Sequence, residues 1–195
     1  LCDVKISEEE TTQLQHNLII SHAVGVGKPI AKELSKVMMI SKIHALSKGF
    51  SGVSLEVIER LIFMLQEDII PVVPEQGSVG ASGDLAPLAH LVLPLLGLGK
   101  VWENNKIEDT AKILKKHKIE PLKLGPKEGL GLINGTQFIL AHAIKGLEKM
   151  EYLLDLADLT AAMSLEAYRG SASPFKKELH EIRPLLEVKK WQQEC

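Results

Sequence analysis

The sequence predicts a mainly α-helical fold, a helical bundle carrying a small β-hairpin and one long helix. Three observations predict it. Leu55, Ile58, Ile62, Leu65 and Ile69 recur at alternating three- and four-residue spacing, the period of one face of an α-helix. Ser7-Glu8-Glu9-Glu10 has the layout of a capping box, in which a hydroxyl and a carboxylate three residues apart satisfy free amides at a helix start. Residues 137–168 run without proline and with Gly146 as their one glycine, which reads as one helix, long for a globular protein.

Taken in order, the first helix opens at Ser7 and runs towards His22. Ile30, Leu34, Val37 and Met38 start a second helix that ends around Gly49. The stripe from Leu55 forms a third, with Ser54 as its N-cap. Ile69-Ile70-Pro71-Val72-Val73-Pro74 is apolar, but its two prolines argue against a central strand and stiffen the approach to the glycine-rich segment that begins at Gly77. A short helix follows Asp84, and Pro94 bends or ends it. Lys100-Val101-Trp102 and Lys106-Ile107 flank Glu103-Asn104-Asn105, which makes a hairpin. A helix near Asp109–Lys116 comes next. In the long helix Phe138, Leu140, Ala143, Ile144, Leu147, Met150 and Leu154 fill more than one narrow stripe, which predicts burial in a bundle, within the chain or between subunits.

Composition narrows the function classes. With 195 residues, 45% of them apolar and 25% charged, the chain can bury one substantial core. A net charge of −2 with no dominant basic patch gives nucleic-acid binding no electrostatic support. The basic run Lys112 to Lys118 is read as a solvated helix face and a favourable C-terminal turn. Cys2 and Cys195 stand at opposite ends with no metal-ligand spacing near them, so neither a metal nor a disulfide framework is expected, and the cytoplasm is the default compartment. No signal peptide is visible, and the apolar stretch Leu85–Leu98 is broken by Pro87, His90, Pro94 and Gly97 and is too short to span a bilayer.

The chemistry concentrates in Gly77-Ser78-Val79-Gly80-Ala81-Ser82-Gly83-Asp84-Leu85-Ala86. Clusters of glycine and serine are most often turns. No Gly-Lys-Ser/Thr and no Gly-x-Gly-x-x-Gly pattern is present, so the loop does not read as a phosphate cradle. Ala81-Ser82-Gly83 has another capacity. The nitrogen of Gly83 carries no bulky neighbour and its dihedrals are free, so it can reach the carbonyl carbon of Ala81 and close a five-membered ring. Loss of one water gives an imidazolone, and loss of a second, the Ser82 hydroxyl leaving with the α-hydrogen, gives an exocyclic methylidene, an electrophile made without any external cofactor.

Gly77 to His90, G-S-V-G-A-S-G-D-L-A-P-L-A-H, resembles the signature of the aromatic amino acid ammonia-lyases, which include the histidine, phenylalanine and tyrosine enzymes and the related aminomutases. Lys127 to Thr136 resembles the family's K-E-G-L-x-L-x-N-G-T segment, and Asn17 to Gly25 its N-L-x-x-S-H-A-x-G segment. The likeness runs from about Leu1 to about Pro184, so residues 1–184 are expected to form the ring-bearing N-terminal part of such a lyase and residues 185–195 a divergent tail.

The resemblance implies that Ala81, Ser82 and Gly83 form a 4-methylidene-imidazol-5-one. It implies that Asn134, whose amide has two donors, holds the substrate carboxylate or the ring oxygen; without it, Asn134-Gly135 reads as a turn or helix boundary. Ser21-His22 resembles the histidine-specific members, where phenylalanine-specific ones tend to Phe-Leu and tyrosine-specific ones to His-Leu. An imidazole substrate needs a polar partner, which His22 supplies. By residue type alone, the favoured reading is that His22 simply ends a helix near Gly25. Asp84 is expected to cap the helix starting at Leu85 and to assist the dehydration of Ser82, with Asp84 and Leu85 supporting the loop.

By resemblance the reaction is non-oxidative removal of ammonia from L-histidine to give trans-urocanate, the first step of histidine degradation. The methylidene carbon would take up the amine or the aromatic ring, and a general base would remove a β-proton. The family's catalytic tyrosine belongs to a Y-G-V-N-T-G-F-G-like motif upstream of Leu1, and its Tyr, Arg, Gln and Glu contributions to a long C-terminal helical region; neither occurs in these 195 residues. The chain is therefore expected to be inactive alone, and the family to assemble as homotetramers. The alternatives are a phenylalanine or tyrosine ammonia-lyase, an aminomutase, or a helical assembly fragment whose loop never cyclises.

Overall fold

Helix α1 (Glu8–His22) starts where the capping box places it: the Ser7 amide donates to Glu10 Oε2 at 2.8 Å and Ser7 Oγ accepts from the Glu10 amide at 3.3 Å. The structure, a computed structural model, describes residues 7–182. Cys2, Cys195 and the expected tail at 185–195 lie outside the described residues. The chain divides into two compact units, one up to Lys145 and one from Gly146 onward.

In the first unit α2 (Lys32–Leu46) and α3 (Leu55–Gln66) pack against one another, and α4 (Leu85–Val92) runs into a single 3-10 turn, Leu93–Leu96, at Pro94. That is the bend expected of a ring that removes a helical amide. Ile19, Met38, Met39, Leu61, Leu88, Leu91 and Ile133 meet in one hydrophobic core from which water is excluded. The stripe expected on α3 is turned from the real one. Val57, Leu61 and Met64 are buried, whereas Leu55 is 66% and Ile62 36% exposed. Apolar residues at 55, 57, 58 and 61–65 fit more than one helical face, and packing against α2, rather than spacing alone, selects among them.

The hairpin forms as expected. β4 (Lys100–Glu103) and β5 (Lys106–Asp109) pair antiparallel across Asn104 and Asn105, both at positive φ (47° and 61°), the backbone a two-residue hairpin turn requires. β2 (Ile70–Pro71) adds to the other edge of β4, and its proline is tolerated because β2 is an edge strand. A two-stranded sheet of β1 (Val26–Pro29) and β3 (Pro74–Gln76) was not expected from the sequence. It pairs Val26 with Gln76, and so brings the chain leaving α1 against the chain entering the glycine-rich loop. Helix α5 (Thr110–Lys116) follows the hairpin, and α6 (Glu128–Ile133) lies against α1 and α4.

Helix α7 (Gln137–Ala167) has the predicted length. Among the described residues its expected burial is not found: Ala141 is its one fully buried residue, while Leu147, Met150 and Leu154 are each about 60% exposed. An apolar pattern records which faces gain by leaving water, not what covers them. The second unit continues α7 into a 3-10 turn, Ser173–Phe175, and α8 (Lys177–Glu181). No helix among the described residues is long and apolar enough to cross a membrane.

Candidate active site

The three sequence segments that carry the resemblance meet in the first unit. The glycine-rich loop enters from β3 at Gly77, where an added Cβ would lie 3.1 Å from the Cα of Gly25 and 3.2 Å from the Cβ of Ala86. It turns at Gly80 (φ +62°) and leaves Ala81 and Ser82 exposed. Gly83 is buried with φ +142°, and a Cβ there would stand 2.6 Å from the carbonyl oxygen of Gly135. Only glycine accommodates both the backbone angle and the contact. Among the described residues no group hydrogen-bonds the Gly83 amide or the Ser82 hydroxyl, so the nitrogen and the leaving oxygen that cyclisation needs are both uncommitted.

Asp84 is wholly buried, and its position corrects the sequence expectation. It occupies the N-cap position of α4, but its side chain makes no capping bond there. Oδ2 instead accepts the amides of Phe138 and Ile139, both at 3.0 Å, in the first turn of α7. Oδ1 accepts the Ser78 hydroxyl at 2.8 Å, and the Asp84 amide donates to Gly135 O at 2.8 Å. The φ of −101° and ψ of 51° at Asp84 turn its carboxylate away from the free amides of α4 and towards another helix. A carboxylate at a helix N-terminus offsets its positive end and fills two otherwise unpaired donors. Leu85 follows as the first, half-buried residue of α4, packed against the core.

Ser21 and His22 end α1, and His22 is half-buried. His22 Nδ1 lies 2.7 Å from Leu18 O, and a carbonyl can only accept, so Nδ1 carries the proton and donates. The neutral ring then presents Nε2 as an acceptor. Ser21 Oγ also donates to Leu18 O at 3.0 Å and lies 3.3 Å from His22 Nδ1. Three residues on, the Gly25 amide donates to His90 Nε2 at 3.0 Å, tying the chain after His22 to α4. Burial holds the His90 imidazole below its ordinary pKa, which keeps Nε2 an acceptor.

Asn134 ends α6, exposed, one residue before the point where Gly135 meets Gly83 and Asp84. Helix α6 is anchored from two sides. Gln15 Oε1 of α1 accepts the Gly129 amide at 3.0 Å, and Glu128 accepts the amides of Ser54 at 2.7 Å and Gly125 at 2.6 Å. Burial opposes ionisation of Glu128, but those bonds outweigh it and hold its carboxyl below the usual value.

Sequence reasoning missed Lys42. It is 2% exposed on the buried face of α2, and its Nζ donates to Gly131 O at 2.9 Å and Asn134 O at 2.6 Å. Its signal was present: Ser35, Met38, Met39, Lys42 and Leu46 keep the helical spacing of a core stripe, and a lysine inside such a stripe needs acceptors. Desolvation pushes its pKa down to about 8. Lys42 and Asn134 line one concavity together with Ser51, Lys127 and Gln137. His90 and Gln137 were likewise not singled out.

These residues suit the ring-forming chemistry: a loop bent at glycines of positive φ, an unpaired Gly83 amide, and an exposed Ser82. Among the described residues no group of three His, Cys, Asp or Glu side chains could hold a metal ion.

The family model described as aromatic amino acid lyase matches residues 1–194. The chain is 47% identical over 184 residues to the histidine ammonia-lyase of Streptococcus pyogenes serotype M49 and 45% identical to that of Streptococcus sanguinis. Each match covers 94% of this chain and 36% of the relative, so the chain spans just over a third of the length of these curated relatives. The crystal structure of histidine ammonia-lyase from Trypanosoma cruzi superposes with a TM-score of 0.85 at 38% identity, covering 92% of this chain and 35% of that one. Tyrosine aminomutase from Streptomyces globisporus superposes with a TM-score of 0.83 at 36% identity, covering 93% and 34%.

Proposed function

The chain belongs to the aromatic amino acid lyase family, and on that premise we propose that it serves the elimination of ammonia from L-histidine to give trans-urocanate, with Ala81, Ser82 and Gly83 forming a methylidene-imidazolone. The observation that carries the ring is the loop itself: Ser82 is exposed, and the Gly83 amide is unpaired at a backbone angle only glycine holds easily. The ring would supply an electrophilic carbon that activates the amino acid for loss of its ammonium group.

The chain's own residues then divide the remaining work. Asp84 pins the loop to Gly135 through its amide and to α7 through its carboxylate. His22 offers Nε2 as acceptor to an imidazole N–H, with the proton held on the other nitrogen by Leu18 O. This hydrogen bond favours histidine, since a phenyl ring would leave Nε2 without a donor. The Asn134 side chain supplies two amide donors to an anionic oxygen, either the substrate carboxylate or the ring oxygen. Residues 1–184 form the part so engaged. The exposed apolar positions of α7 support assembly into a homo-oligomer, a tetramer as the resemblance implies, and the proposed compartment, by the resemblance, is the cytoplasm.

Intact mass tests the ring: the protein should weigh two waters less than its sequence, and Ser82→Ala should restore the full mass. An unmodified mass in the wild type would refute cyclisation. Substrate choice is read from the product, with urocanate absorbance expected from L-histidine in the assembled enzyme and neither cinnamate nor coumarate from phenylalanine or tyrosine. The 195-residue chain alone is expected to release no ammonia, because no residue assigned to it abstracts the β-proton; urocanate formed by it would overturn that expectation.

A further inference from the structure

We propose that Lys42 is the positioning residue for Asn134, holding the end of α6 so that the Asn134 amide stays registered on the Gly83–Gly135 contact. The inference rests on the reading of Asn134 as a binding residue and adds the device that sets its place. The ammonium group reaches across from α2 and donates to two carbonyls, Gly131 O at 2.9 Å and Asn134 O at 2.6 Å. One belongs to the last turn of α6, the other to Asn134 itself. Carbonyls at a helix end lack partners within the helix and carry its negative dipole end, so a cation is the natural ligand for them.

Packing alone does not account for a lysine here. Its neighbours along the stripe are Met38, Met39 and Leu46, and a methionine would fill the same space without a buried charge. Among the described residues no carboxylate pairs with Lys42. Other charged and titratable groups around it are engaged elsewhere or face solvent. Glu128 of α6 is bound to the Ser54 and Gly125 amides, and His90 of α4 to the Gly25 amide. Arg60 of α3 donates to Glu120 O, Glu56 and Glu59 of α3 and His44 of α2 are exposed, and Lys127 shares the concavity as a second cation. The charge of Lys42 is therefore answered by the α6 carbonyls. Burial leaves that charge easy to lose, with a pKa of about 8.

The position of Asn134 should therefore follow the protonation of Lys42. The test follows the side-chain amide signals of Asn134 by NMR from neutral to alkaline pH in wild type, Lys42→Met and Lys42→Arg, after intact mass has shown whether the ring is present in each. In wild type the Asn134 amide should shift with a midpoint of about 8. In Lys42→Met the signals should be displaced at every pH and should not titrate, and L-histidine, titrated as the probe, should bind about tenfold more weakly because a displaced contact group loses its geometry. Lys42→Arg, which keeps a permanent cation and its donors, should return the signals towards the wild-type position and remove the titration. Asn134 signals that coincide in wild type and Lys42→Met, or that do not move with pH in wild type, would overturn the proposal. If Lys42→Met does not fold, the wild-type titration decides alone. An unmodified mass would sink the lyase reading while leaving the amide titration to judge Lys42, so the two failures are told apart.

Discussion

Replacing Asp84 gives the sharpest energetic test, because one buried carboxylate joins the glycine-rich loop to the start of α7. In Asp84→Ala the amides of Phe138 and Ile139 lose their acceptor, and the Ser78 hydroxyl loses its own. Ser78 is only half-buried and can turn to water, so the loss falls on the two helix amides. Bonds to a charged partner contribute about 1.5–3 kcal/mol each, and part of that is offset because a buried anion need no longer be desolvated. The net cost is about 3–5 kcal/mol. Asp84→Asn separates geometry from charge. Its carbonyl can take the place of Oδ2, and its amide can face Ser78, whose hydroxyl then accepts. Only the charge is lost, which at about 1 kcal/mol per bond comes to about 2 kcal/mol.

Urea unfolding reads both numbers from the midpoint at unchanged slope, and hydrogen exchange at the Phe138 and Ile139 amides reads the same loss locally. The expected order is wild type, then Asn, then Ala. Asp84→Ala unfolding at the wild-type midpoint would falsify the assignment of Asp84 as the cap of α7. If the Asn variant proved as unstable as the Ala variant, the side chain's shape rather than its charge would carry the effect.

Three further outcomes rest on the same geometry. Gly83→Ala places a methyl 2.6 Å from Gly135 O at φ +142°, and the backbone angle alone costs about 1–3 kcal/mol; a urea midpoint equal to wild type would show that the loop relaxes freely. His90 has its folded pKa depressed by burial, so the unfolded chain binds its proton more readily, and stability is lost as pH falls through the ordinary histidine range towards the folded value; His90→Gln should flatten that acid limb of the thermal-unfolding profile, and an unchanged limb would assign it to other groups. Lys42 also has a depressed folded pKa, about 8 against 10.5, so the unfolded state holds more protons between these values and stability rises with pH across that window, by about 3 kcal/mol in all. Lys42→Met should lack the rise, as denaturant melts on both sides of the window would show.

Much of this was legible in the sequence because it rests on local physics. The Ser7–Glu10 capping box, the Asn104-Asn105 turn and the bend at Pro94 each depend on a few adjacent residues, and each forms as read. The pairing of β1 with β3 was not legible. Two strands of four and three residues separated by two helices and a further strand leave no local pattern, and both contain prolines that lower their apparent strand character. The stripe on α3 was legible as a helix but not as a face, because apolar residues crowd several faces and packing against α2 and the Leu93–Leu96 turn selects one. The site divides the same way. Ala81, Ser82 and Gly83 stand out by residue type and Asn134 and His22 through the family resemblance, whereas what Asp84 and Lys42 hold depends on where distant helix ends arrive.

That division has a physical basis in the helix termini themselves. The start of α7 and the end of α6 lie on either side of Gly135, each with backbone groups its own helix cannot satisfy. Asp84 answers the amides of one and Lys42 the carbonyls of the other, an anion at a helix start and a cation at a helix end, as the dipoles require. Between them runs Asn134-Gly135-Thr136, with Gly135 O taking the Asp84 amide and closing on Gly83. The glycine-rich loop is thus located by two buried side chains of opposite charge type, neither of which belongs to Ala81-Ser82-Gly83. Losing either one should loosen the same three residues from opposite sides. The double variant Asp84→Asn with Lys42→Met should therefore differ in stability from the sum of the single changes, since sites that share a structural element do not add. Strict additivity in urea unfolding would mean that the two helix ends are held independently, and that Gly135 transmits nothing between them.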